Sequence, residues 1–67
     1  MNLRRLTPIK IARLEQNVPQ IDVAFSTHIS QSRLSLIETG RIAPRADEVQ
    51  RIAAALCVPV ERLTTPA

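Results

Sequence analysis

Glycine is almost missing from this sequence, with Gly40 the single example, and that removes the glycine-rich phosphate loops of nucleotide-dependent enzymes. Tryptophan and tyrosine are absent and Phe25 is the one aromatic ring, so single-stranded bases have no stacking platform. A lone cysteine, Cys57, closes no internal disulfide, and with one histidine, His28, the chain lacks the ligand set of a structural zinc site. No apolar run approaches the roughly 20 residues that cross a bilayer. Met1 to Arg5 leads into no signal-peptide core. The expectation is a cytoplasmic protein with no membrane association, cofactor, metal or small-molecule substrate.

What is present is 67 residues, 45% of them hydrophobic, which bounds the chain to one small domain spanning 1–67. At this size only about 60% of the unfolded surface is buried on folding, so cohesion must come from a dense core or a partner subunit. Nine Lys plus Arg face six Asp plus Glu, and residues 1–45 hold seven of those cations but three of the anions. The excess positive charge is therefore N-terminal. It fits either a polyanionic partner or a cationic face that keeps a small domain in solution.

Prolines at 8, 19, 44, 59 and 66 punctuate the chain, and proline suits the first turn of a helix but not its interior. Thr7 as N-cap and Pro8 as first helical residue predict a helix over 7–16, with Ile9, Ala12 and Gln16 on one face. Pro19 opens a second helix that carries Val23, Ala24 and Thr27 and ends near His28. Ser30 caps a third, with Leu34 and Ile37 inward, which stops at Gly40. Arg41 to Arg45 is a short basic loop. Asp47 and Glu48 sit where they favour a helix start, and Val49, Ile52, Ala53 and Leu56 form a helical stripe that Cys57 ends. Pro59 starts a last short turn with Val60 and Leu63. The predicted class is all-α, four to five short helices around one core, with 1–6 as an N-terminal arm and 64–67 as a tail.

Two short helices a few residues apart, the second opening on small polar side chains, form a helix-turn-helix arrangement whose second helix enters the major groove. Val18-Pro19-Gln20, Val23-Ala24, Ile29-Ser30, Leu34-Ser35, Ile37-Glu38 and Gly40 resemble the Cro/repressor (XRE) helix-turn-helix family. That family's pattern runs Leu-Ser-Gln, two variable residues, Leu-Ala, then Ile-Ser, Leu-Ser, Ile-Glu and Gly, at the same spacing. The resemblance spans about residues 7–64. The sequence departs from it at Thr27 and His28, where the family usually has Leu and Gly, at Cys57 for a frequent Gly, and at Pro19 for a capping Ser or Thr. His28 must then take a left-handed conformation at a cost of about 1 kcal/mol.

The resemblance implies a sequence-specific double-stranded DNA-binding regulator, a repressor acting as a homodimer on a two-fold site. Base reading then falls to Ser30, Gln31, Ser32 and Arg33, with Ser35 and Leu36 one turn on. Gln31 can donate to and accept from adenine, Arg33 can donate twice to guanine, and Leu36 can meet a thymine methyl. Gln20 matches a phosphate-binding position at a helix N-terminus. Thr39, Arg41, Arg45, Arg4 and Arg5 are the remaining phosphate candidates. Arg13 and Glu38 match a structural ion pair of the family.

Ile21 and Phe25, four apart on the second helix, fall on its outward face in the family pattern, where they either form a contact surface or fold over the N-terminal arm. Ile42, Val60 and Leu63 are the expected dimer surface. Asp22, Ser26, His28 and Ser30 lie close in sequence, but a chain this small has little room for a catalytic pocket, and no enzyme is expected. The alternative function is a protein-interaction module, antitoxin-like or a scaffold, that keeps this fold and holds a second protein through Ile21 and Phe25.

Overall fold

The structure, a computed structural model, describes residues 6–64, and these form five α-helices and no strand. They are α1 (Pro8–Glu15), α2 (Gln20–Thr27), α3 (Gln31–Glu38), α4 (Ala46–Leu56) and α5 (Val60–Thr64). The expected arm carrying Arg4 and Arg5 lies outside the described residues.

Each start follows from a local signal. Thr7 accepts a hydrogen bond from the Lys10 N–H at 3.2 Å, and Pro8 takes the first turn of α1, where its missing N–H is of no consequence. Ser30 accepts from the Arg33 N–H at 3.1 Å to cap α3. Pro19 precedes α2 with no side-chain cap, as its chemistry requires. At α4 the N-cap residue is Arg45, whose side chain has no acceptor, so the buried Glu48 carboxylate reaches back to the Arg45 N–H at 2.8 Å.

The first four helices end alike. A left-handed residue, Asn17, His28, Gly40 or Cys57, turns the chain, and the next N–H bonds back to a carbonyl of the last helical turn. Those bonds are Val18 to Arg13, Ile29 to Ala24, Arg41 to Leu36 and Val58 to Ala53, at 2.9 to 3.3 Å. Only one of the four left-handed residues is glycine. His28 and Cys57, at φ 58 and 56, therefore carry backbone strain that Gly40, at φ 78, does not.

The core gathers residues from every helix: Ile9 and Ala12, Val23 and Ala24, Leu34 and Ile37, Val49, Ile52, Ala53 and Leu56, and Leu63, with Ile29 from the turn. Thr27, where the family places Leu, is fully buried, and its hydroxyl donates to the Val23 carbonyl at 2.7 Å. The polar substitution is thus absorbed inside its own helix. Arg51 of α4 donates to the Thr27 carbonyl at 2.7 Å and ties α2 to α4, while Gln16 donates to the Leu56 carbonyl and ties the end of α1 to the end of α4.

One expected surface residue is displaced. Leu63 is 5% exposed and belongs to the core, because the single turn of α5 directs Leu63 inward and leaves Val60 at the rim. Ile42 is half-buried against the same core. Both line an open apolar groove of about 260 Å³ with Pro8, Ile37 and Pro44.

Strain at His28 is testable. His28→Gly should raise stability by about 0.5–1 kcal/mol, the left-handed strain being partly offset by the greater freedom of glycine in the unfolded chain. Urea unfolding should show a higher midpoint at an unchanged slope. A lower midpoint contradicts the account.

Candidate nucleic-acid interface

α2 and α3 are joined by the three residues His28, Ile29 and Ser30, and buried Ile29 anchors the turn between them. Leu34, Ile37 and Glu38 face inward from α3, which leaves Gln31, Ser32, Ser35 and Leu36 on its outer side. Gln31 and Arg33 sit at opposite edges of that outer strip: Gln31 next to α2, Arg33 next to α4.

A polar chain runs from α1 to the Gln31 edge. Arg13 grips Glu38 through two parallel bonds, Nε to Oε2 at 2.8 Å and Nη2 to Oε1 at 2.9 Å, and the Glu38 side chain is 1% exposed. The remaining terminal nitrogen of Arg13 donates to the Val18 carbonyl at 2.8 Å. Glu38 also accepts from the side-chain amide of Gln20 at 3.2 Å, and the Gln20 oxygen accepts from Gln31 at 3.4 Å. The Glu38 carbonyl accepts from the Thr7 hydroxyl at 2.8 Å. Two helices, α1 through Arg13 and its N-cap Thr7 and α2 through Gln20, thus converge on the last residue of α3, and the amide of Gln31 is oriented at the far end of the chain.

A second ion pair holds the opposite edge. Arg33 Nε donates to Glu48 Oε2 at 2.6 Å and Nη2 to Oε1 at 2.8 Å. The Arg33 fork, together with the Arg45 N–H, holds the Glu48 carboxyl down at about 2 from an ordinary 4.5, against the opposing effect of burial. The same contact raises the Arg33 pKa.

The other expected contact residues divide by availability. Ser30, Ser32 and Leu36 are exposed and Ser35 half-buried. Arg41 is exposed and makes no side-chain bond among the described residues. Arg45 is exposed, with Asp47 and Glu48 only at 3.6 and 3.8 Å. Thr39 is exposed but its hydroxyl donates to the Ser35 carbonyl at 2.9 Å, so it can only accept from outside. Ile21 and Phe25 stand 59% and 85% exposed on α2.

Sequence reasoning identified Arg13 with Glu38 only through resemblance, and missed Glu48 altogether as a partner of α3. An acid in the first turn of a helix is explained locally by the dipole, and nothing in the sequence links it to an arginine fifteen positions earlier. The links from Gln20 to Glu38 and Gln31 carry no local signal either.

A helix-turn-helix family model matches residues 9–63. No curated protein and no solved structure matches the chain. Among the described residues no helix is long and apolar enough to cross a membrane.

Two outcomes follow from the ion pairs. Arg13→Ala leaves the buried Glu38 charge unpaired and should destabilise the fold by about 3–5 kcal/mol, read by urea unfolding. For Glu48, the carboxyl pKa is lower in the folded than in the unfolded chain, so the unfolded chain takes up the proton first as pH falls. The stability this group contributes is complete above about 4.5 and is lost as pH falls toward about 2. Unfolding across that range should show Glu48→Gln with a shallower acid decline than wild type, and parallel declines would count against the assignment.

Proposed function

The chain belongs to the Cro/repressor (XRE) helix-turn-helix family, a DNA-binding regulatory family, and from that premise we propose a sequence-specific repressor that binds a two-fold operator as a homodimer. The observation that carries the reading is the amide relay that ends on Gln31. With one of its amide hydrogens given to Gln20, Gln31 keeps its second hydrogen and its oxygen for the N7 and N6 edge of adenine. A residue held this way loses little freedom on binding, which favours discrimination over loose attraction.

Around it, Ser30, Ser32 and Ser35 permit close approach to base edges, Leu36 meets a thymine methyl, and Arg33 addresses guanine. Gln20 at the start of α2, with the adjacent free backbone N–H groups, takes a phosphate. Arg41 and Arg45 take others after the recognition helix, and Thr39 serves there as an acceptor for a bridging water. In the dimer, two copies of α3 enter successive major grooves about 34 Å apart. Val60, Ile42 and the apolar groove beside them supply the subunit contact. Such a dimer represses by covering its site and needs no effector domain to do so.

The rival reading, a protein-interaction module acting through Ile21 and Phe25, has the exposure of both residues in its favour and the family match against it.

Fluorescence anisotropy on a selected duplex and a random one, over a range of salt, tests the reading. Gln31→Ala should relax preference at one base position by about 1–3 kcal/mol. Arg41→Ala should weaken binding to both duplexes alike and lower the salt slope by about one. Equal losses on both duplexes for Gln31→Ala would remove it from the base readers, and a native mass showing only monomer with and without the selected duplex would remove the dimer.

A further inference from the structure

Two arginines in this fold grip a buried carboxylate in the same way, side-on through Nε and Nη2. They differ in what becomes of the rest of the guanidinium. For Arg13 the remaining nitrogen, Nη1, is closed off by the Val18 carbonyl, and the side chain is 11% exposed. For Arg33 the side chain is 37% exposed, and Nη1 has no partner among the described residues. All three nitrogens of the first arginine are engaged by the fold. The second offers an open end.

That end carries N–H groups on Nη1 and Nη2 side by side, which is the donor pair that matches O6 and N7 of guanine. Glu48 is well placed to fix where it points. Its carboxylate is buried, and the Arg45 N–H holds it at the start of α4, so it has little freedom of its own. Arg33 is the third residue of α3, within the first turn that a recognition helix presents to base edges.

We infer that Glu48 is a positioning residue for base recognition: it grips one edge of the Arg33 guanidinium from a neighbouring helix and aims the free edge at a guanine. The inference rests on the DNA-binding reading above and adds to it a specificity determinant outside the helix-turn-helix itself. An unbraced arginine on a helix surface samples many rotamers and pays for ordering when it meets a base. A braced one has its plane and direction set in advance, and the negative charge behind it is compensated in the free protein as well as in the complex.

The test is a selection from random duplex DNA by the wild-type chain, followed by binding of each variant to the selected site and to the same site with the guanine opposite Arg33 changed to adenine. The ratio of the two affinities is the readout. Wild type should prefer guanine by roughly ten-fold or more, Glu48→Gln by only about two-fold, and Arg33→Ala not at all. Arg33→Lys keeps the charge but not the fork and should also lose the preference, which covers the case in which the alanine variant does not fold. Adding Glu48→Gln to Arg33→Lys should change the ratio no further, the mark of two residues acting as one unit. Preference at the position read by Gln31 should survive in Glu48→Gln, which a general loosening of the fold would not allow.

A full guanine preference in Glu48→Gln, or equal losses at the Arg33 and Gln31 positions, overturns the inference while leaving DNA reading intact. Failure of wild type to select any site overturns both.

Discussion

The buried pair between Arg13 and Glu38 is the constraint on which the recognition surface depends. Glu38 ends α3, and its carboxylate and carbonyl between them bond to Arg13, Gln20 and Thr7. A carboxylate this deeply buried is tolerated only with its lone pairs occupied, so Arg13 and Gln20 are held together by the need to satisfy one group, while Thr7 bonds the carbonyl of the same residue. At 67 residues the whole stability of the fold is roughly 3–10 kcal/mol by the usual per-residue range. An unpaired charge at Glu38 would consume a large share of that. The pair therefore contributes less as attraction than as a condition that α1, α2 and α3 must meet at once.

How much of this was legible in the sequence varies with the range of the signal. The five helices, the Thr7 and Ser30 caps and the Gly40 turn are set by residues three or four apart, and the residues alone reach that far, whereas the left-handed backbone at His28 was legible only through the family's usual glycine there. α5 shows where it stops. One turn with Val60 and Leu63 three apart has no second turn to define its inward stripe, so the sequence offers both as surface, while packing against α1 and α4 takes Leu63 alone. Asn17 was legible in principle, since asparagine is the side chain that best tolerates a left-handed turn after glycine.

The candidate site was legible as a set of residues and not as an arrangement. Gln20, Gln31, Arg33 and Arg41 could be named from register with the family pattern. That Gln20 is oriented by Glu38, and Arg33 by Glu48, depends on contacts across eighteen and fifteen positions that no periodicity encodes. Arg33 shows the consequence. From sequence it is a free side chain pointing at DNA, whereas in the structure two of its five donors are already engaged by Glu48.

The two edges of α3 are built on one plan. Each carries a long polar side chain whose orientation is set by a residue of a neighbouring helix, Gln20 of α2 for Gln31 and Glu48 of α4 for Arg33, and each of those is itself tied down, Gln20 by Glu38 and Glu48 by the Arg45 N–H. The outer strip between them, Ser32, Ser35 and Leu36, has no such bracing and is short or apolar. Short side chains need none, because they have few rotamers to lose, whereas glutamine and arginine have many. On the proposed reading, a small domain that discriminates among bases while keeping only a few kcal/mol of stability gains by placing its long readers where helices it already needs for folding can hold them. On that reading the same side-chain contacts serve packing in the free protein and direction at the DNA, and Glu48 takes part in both.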